Sequence, residues 1–186
     1  ACNDKIVDEH YCETIALDFY TKYISVNGKY IKFHFWDTTG NPIYKKICTT
    51  YYKNMTSVIL VYDVSNKQSF LNINNYLKEF KQHNTKRFTC HLIANKIDIK
   101  DKKVSRSQGI ELAKKINATF HEMSLYNEEN IANNIEIGFK DILNSIYDKR
   151  YSLDNFVSTK KHFDNTSYEI INDNNSKYKR YCCTIL

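Results

Sequence analysis

Asp37-Thr38-Thr39-Gly40 closes a run of alternating apolar and polar residues. A carboxylate at the end of a strand can hold a metal-bound water, and a glycine three residues on lets a backbone N–H approach a terminal phosphate. That tetrad alone is short, and turn formation explains many instances of it. Asn95-Lys96-Ile97-Asp98 is more specific, because it follows a second apolar run, Thr89 to Ala94. The Asp98 carboxylate can accept two hydrogen bonds, from the N1–H and 2-amino groups of guanine, which adenine does not offer. Asn95 can brace the loop, and the aliphatic stem of Lys96 can cover a base plane. In an open parallel sheet, ligands gather beyond the carboxyl ends of the strands, where both tetrads are expected.

The end of the sequence carries a different chemistry. Cys183-Thr184-Ile185-Leu186 fits a prenylation box, and its terminal leucine favours a geranylgeranyl group. Cys182 could take a second lipid, and two chains anchor far more firmly than one. Lys177, Lys179 and Arg180 would meet anionic head groups, each adding about 1 kcal/mol. A chance cysteine near a terminus is the plainer reading, but a box flush with the last residue after a polar, basic stretch argues against it. The six histidines are dispersed, with no pair at helical metal spacing, and no Ser-His-Asp arrangement can be drawn.

The elements that must position these residues are visible in the pattern. Phe19–Val26 and Lys29–Trp36 flank Asn27-Gly28, which tolerates the positive φ of a type I′ turn, so a hairpin is expected. In its second arm Ile31, Phe33 and Phe35 alternate with Tyr30, Lys32 and His34, placing one face on a core. Ser57–Val64 is continuously apolar, as in a strand buried on both faces. Phe70, Ile73, Leu77 and Phe80 recur at helical spacing. Ser105 and Gln108 make a capping box ahead of Ile110, Ala113 and Ile116. A short strand at Thr119–Met123 and a long amphipathic helix through Ile131, Ile135, Phe139, Ile142 and Ile146 complete the series. Such alternation implies right-handed crossovers and a parallel sheet covered by helices.

Composition sets outer limits. The chain has 186 residues, 42% apolar and 14% aromatic, enough for one sizeable core. No run approaches the roughly 20 apolar residues that span a bilayer. The net charge of +6 is spread among acids without an arginine cluster or a nucleic-acid-reading motif, so no nucleic-acid partner is expected. Cys2, Cys12, Cys48 and Cys90 lack metal-type spacing; with no signal peptide, free thiols in a reducing cytosol are expected.

With these motifs in order, the chain resembles the Rab family of the Ras superfamily of small GTPases from about Tyr11 to Tyr147. Cys12–Phe19 resembles the first switch, whose threonine, here Thr14, would bind Mg²⁺ beside Asp37. Trp36–Gly40 resembles the start of the second switch, and Gly40 with Asn95, Lys96 and Asp98 would bind GTP or GDP. Ser124-Leu125-Tyr126 falls where the family has Ser-Ala-Lys. The resemblance implies a GTP/GDP switch in vesicle traffic, on the cytoplasmic face of intracellular membranes and cycling with the cytosol. It also implies exchange factors, GTPase-activating proteins, an escort for the prenylated tail, and effectors reading Phe19 and Trp36. Its fold would be α/β, with a mostly parallel sheet, an antiparallel edge hairpin and helices on both faces. The domain is expected at 1–150 and a flexible lipidated tail at 151–186.

Three departures stand out. The four glycines, Gly28, Gly40, Gly109 and Gly138, cannot make G-x-x-x-x-G-K-[ST], so the family's phosphate loop, first strand and first helix are absent. A sheet without its middle strand would expose two buried edges, which favours an N-terminally incomplete chain over a complete pseudo-GTPase interaction module. Asn41 stands where the family carries the catalytic glutamine, one methylene shorter and followed by Pro42, so slow hydrolysis is expected. Leu125-Tyr126 replaces Ala-Lys, leaving the main-chain N–H of Leu125 for the guanine oxygen.

Overall fold

A computed structural model of the chain describes residues 14–26, 29–124, 140, 142–148, 171–173 and 176–185. The hairpin arms are β1 (Leu17–Val26) and β2 (Lys29–Thr38), antiparallel, with Val26 opposite Lys29 and Leu17 opposite Thr38. That register leaves two residues for the turn, as the Asn27-Gly28 signal requires, although those two lie outside the described residues. After a 3-10 turn at Pro42–Tyr44, the short helix α1 (Lys45–Tyr51) leads towards β3 (Ser57–Asp63). Next come α2 (Lys67–His83), β4 (Thr89–Asn95), α3 (Arg106–Ile116) and β5 (Thr119–Glu122). The backbone is helical again at 142–148, within the stretch where the apolar period predicts a long helix; 125–139 lie outside the described residues.

Local chemistry sets the element ends. Asn66 caps α2, its side-chain oxygen accepting from the backbone N–H of Gln68 (3.0 Å) and Ser69 (3.2 Å). The capping box of α3 forms reciprocally: Ser105 Oγ accepts from the Gln108 N–H at 3.3 Å, and Gln108 Oε1 accepts from the Ser105 N–H at 2.8 Å. Asn117 ends α3 in the left-handed region, at φ 57°.

Two cores sit on the two faces of the sheet. Val58, Leu60 and Tyr62 of β3 pack with Ile73, Leu77 and Phe80 of α2 and with Leu112 and Ala113 of α3. Ile59 faces the other way, with Ile31, Phe33 and Phe35 of β2 and Ile142, Leu143 and Ile146. Covering both faces is why β3 reads as an unbroken apolar run, whereas β2 alternates. Each such fully buried side chain contributes about 1.5–3 kcal/mol relative to exposure. The buried polar residues Ser57, Thr89 and His91 partner one another or Thr119: His91 Nε2 lies 3.2 Å from Thr89 Oγ1, His91 Nδ1 2.5 Å from Thr119 Oγ1, and Thr89 donates to Ser57 Oγ at 3.0 Å.

The sheet departs from expectation in one place. Strand order is β1-β2-β7-β3-β4-β5, where β7 is Ser176–Ile185 and pairs on its own with β6 (Ile171–Asp173). β7 runs parallel to both neighbours: Lys179–Ile185 pair with Ile31–Asp37 of β2, and Cys183–Ile185 with Ser57–Ile59 of β3. Sequence reasoning gives this stretch to a flexible tail at 151–186; its backbone instead fills the middle of the sheet. The physical reason is the unpaired backbone of β2 and β3, two inner edges whose N–H and C=O groups need partners. Residues 151–170 lie outside the described residues.

Candidate nucleotide site

β2, β7, β3, β4 and β5 run in one direction, so their carboxyl ends share one edge of the sheet. Asp37 stands near the end of β2, half-buried, and Thr14 Oγ1 donates to its Oδ2 at 3.2 Å. The two residues expected to serve Mg²⁺ are thus brought together across 23 positions of sequence. Burial raises the Asp37 carboxyl above its ordinary value, and the neighbouring Asp18 charge adds to this; the Thr14 hydroxyl works against it. A hydroxyl beside a carboxylate whose negative form is costly suits a hard, oxygen-preferring cation. The loop bearing Thr14 is tied down at Ala16, whose carbonyl accepts from the Thr39 N–H at 3.3 Å and from Cys48 Sγ at 3.2 Å.

Gly40 is exposed, with open space where a side chain would project. Asn41 is engaged elsewhere: its side-chain oxygen accepts from the Ile43 N–H at 3.0 Å, capping the 3-10 turn that Pro42 opens. Its own N–H donates to Thr39 Oγ1 at 3.1 Å. The amide that would orient a water therefore serves its own turn.

At the end of β4, Asn95 Oδ1 accepts from the Lys96 N–H at 2.8 Å, bracing the turn in which Lys96 takes a left-handed φ of 61°. Lys96 Nζ pairs with Asp63 Oδ2 at 2.7 Å, while Asp63 Oδ1 accepts from the N–H and hydroxyl of Ser65 at 2.8 and 2.6 Å. Burial would push the Asp63 carboxyl up, but the Lys96 ammonium and the Ser65 donors together hold it below its ordinary value. Asp98 is exposed, and Ser124 Oγ donates to its Oδ1. Main-chain bonds lock this loop to the end of β5: Ile97 N–H to the Met123 carbonyl at 3.4 Å and Met123 N–H to the Ala94 carbonyl at 2.9 Å. Leu125 lies outside the described residues. Asp63 is a contributor that sequence reasoning missed; its position at the carboxyl end of the most apolar run was the available signal.

Beside this edge lies an aromatic row. The rings of Phe19 and Trp36 are 4.6 Å apart, and those of Trp36 and Tyr51 4.7 Å apart. Phe19 and Tyr51 are exposed and Trp36 half-buried, so strand, strand and helix present one continuous face. Tyr51 was also missed, because α1 is only seven residues long and gives no readable period.

Comparisons with known proteins give the family. A model of the Ras family matches residues 3–147. Ras-related protein SEC4 of Saccharomyces cerevisiae is 36% identical over 121 residues, covering 65% of this chain and 56% of its own length. Ras-related protein Rab-13 of Canis lupus familiaris is 37% identical over 134 residues, covering 72% and 66%. Ras-related protein Rab-8A of Gallus gallus is 37% identical over 124 residues, covering 66% and 60%. The chain belongs to the Ras family of small GTPases, in its Rab branch. It spans less than two thirds of the length of these relatives. The family implies GTP or GDP with Mg²⁺ as ligands.

Proposed function

We propose that the chain is a Rab-like guanine-nucleotide switch of vesicle traffic. The observation that carries this reading is the Asn95–Asp98 loop, with Asp98 aligned by Ser124 and the loop pinned by the Asp63–Lys96 ion pair. A guanine base against Asp98 would lie three strands across the sheet from Asp37 and Thr14, on the same edge, with Asp37 level with His91 and so four residues short of Asn95 along the strands. The base would sit at the Asp98 end and the phosphates with Mg²⁺ at the Asp37 end. Thr14 and Asp37 would hold the cation, directly or through water, and Gly40 would offer its N–H to the terminal phosphate. Mg²⁺ supplies charge neutralisation at the phosphates when bound.

Hydrolysis in this reading is slow, because Asn41 caps its own turn and no phosphate loop stands among the 186 residues. Effectors would read the row Phe19, Trp36 and Tyr51, whose exposed aromatic area suits an interface hot spot. Exchange factors, activating proteins and an escort would be the other partners, on the cytoplasmic face of intracellular membranes. Geranylgeranyl transfer to Cys183, with Cys182 as a second site, requires the end of β7 to leave the sheet, since Cys183 is in register with Phe35 and Ser57. Incubation with a prenyltransferase and labelled isoprenoid should then label the chain slowly when folded and faster in mild urea; no label under either condition removes the lipid from the proposal.

Fluorescent GDP titration tests the central reading. Saturable binding at micromolar or tighter affinity supports a switch. Its absence, with the fold intact, gives the aromatic row to a nucleotide-free interaction module.

A further inference from the structure

The amino-terminal ends of the parallel strands form a pole opposite the candidate site. β3 and β4 start in register at Ser57 and Thr89, and β5 starts opposite His91. The segments that lead into these strands carry lysines: Lys53 before β3, Lys86 before β4, and Lys114 and Lys115 in the last turn of α3. The first two segments touch, because Thr85 donates to the Lys53 carbonyl from its N–H (3.4 Å) and its hydroxyl (3.1 Å). Lys78 and Lys81, in the closing turns of α2, line with Lys115 a groove of about 550 Å³ between α2 and α3, floored by Leu77 and Ile116.

All six lysines are exposed. The four ion pairs among the described residues use Lys45, Lys96, Lys103 and Arg106, so none of the six shares in them. Glu79 of α2 is turned to Lys45, and Glu111 of α3 is an exposed acid one turn before Lys114 and Lys115. Helix macrodipoles account for cations in a last turn, which covers Lys81, Lys114 and Lys115. They do not account for Lys53 and Lys86, which lie outside both helices, or for Lys78. Lysines are compact point charges without a planar fork, and here they spread over several elements. That distribution fits a field of anionic head groups better than one shaped partner.

We propose that this pole docks on anionic phospholipid surface, turning the nucleotide edge away from the bilayer. The proposal is independent of lipidation and of nucleotide binding, since six surface charges act in the bare chain. Sedimentation of the unlipidated full chain with phosphatidylcholine vesicles, with and without phosphatidylserine, tests it. Binding should require phosphatidylserine and vanish in molar salt, where the screening length is about 3 Å. Combining Lys78→Gln, Lys81→Gln and Lys115→Gln should weaken binding on the order of tenfold to a hundredfold, taking up to about fivefold per lysine. The control combines Lys22→Gln, Lys67→Gln and Lys102→Gln, exposed lysines away from this pole, and should retain most of the binding. Equal loss in both variants would reduce the effect to net charge, and no binding by the parent chain would overturn the proposal outright. Binding of polyglutamate by the same three lysines without vesicle binding would give the groove to an acidic protein and overturn the lipid assignment.

Discussion

Replacing Asp98 by asparagine removes one charge and exchanges one acceptor oxygen for a donor, with almost no change in shape. Asp98 is exposed, and its hydrogen bond from Ser124 can persist to the amide oxygen, so folding should change by no more than about 0.5 kcal/mol, as for other surface substitutions. Guanine binding should respond quite differently. The base would offer two N–H donors to an ionised carboxylate, and hydrogen bonds to charged groups contribute about 1.5–3 kcal/mol each. The amide oxygen can still accept from N1–H as a neutral bond, so losing one bond and weakening the other gives about 2–4 kcal/mol, or roughly thirtyfold to a thousandfold weaker GDP binding. Xanthine carries an oxygen in place of the 2-amino group, which the new amide N–H₂ can meet. Competition of GDP and XDP against a fluorescent nucleotide, on wild type and Asp98→Asn, should therefore show preference crossing from GDP to XDP. Weakening of GDP by less than tenfold, or parallel weakening of both ligands, would refute the role assigned to Asp98.

Gly109 lies inside α3, where a β-carbon would run into the Tyr62 hydroxyl and the Phe120 ring, so Gly109→Ala should destabilise despite its better helix propensity. About 1–3 kcal/mol is expected from overpacking, read by urea unfolding; an unchanged or raised midpoint would mean that Tyr62 and Phe120 yield freely. In single-turnover hydrolysis by a nucleotide-loaded chain, Asn41→Gln should speed the reaction, since the longer amide caps its turn less well and reaches further; an unchanged rate removes Asn41 from the catalytic account. Asp37 has a folded-state proton affinity raised above the ordinary 3.8, so its contribution to stability is fully present below that value and is lost as pH rises through the raised one. Asp37→Asn should accordingly raise the melting temperature of the nucleotide-free chain at neutral pH, with the advantage shrinking on acidification. A variant less stable than wild type at neutral pH would show that the Thr14 bond to a charged acceptor outweighs burial.

Why some parts were legible in the sequence and others were not follows from where each is encoded. The hairpin, β3, α2 and the α3 cap are local: alternation, an unbroken apolar run, helical spacing and a Ser–Gln pair each act within a few residues. The Asn95–Asp98 loop is local too, and its partners Ser124 and Asp63 follow from strands that end on the same edge. β7 is the opposite case. Lys177, Lys179 and Arg180 make Ser176–Ile185 read as solvated, and Tyr178, Tyr181, Thr184 and Ile185 are too few strand formers to outweigh them. What places it is a demand of β2 and β3 for backbone partners, so the slot is a property of the sheet and invisible in the residues that fill it. Tyr51 fails for a nearer reason: beside Tyr52 in a seven-residue helix, only the helix phase decides that Tyr52 is buried and Tyr51 joins Trp36. Asn41 is the instructive one. Asparagine followed by proline is itself an N-cap signature, with the proline in the first helical position. The same two residues that stand where the family carries its catalytic amide also open a helical turn, and the hydrogen bond from the Ile43 N–H to Asn41 Oδ1 shows that turn capped.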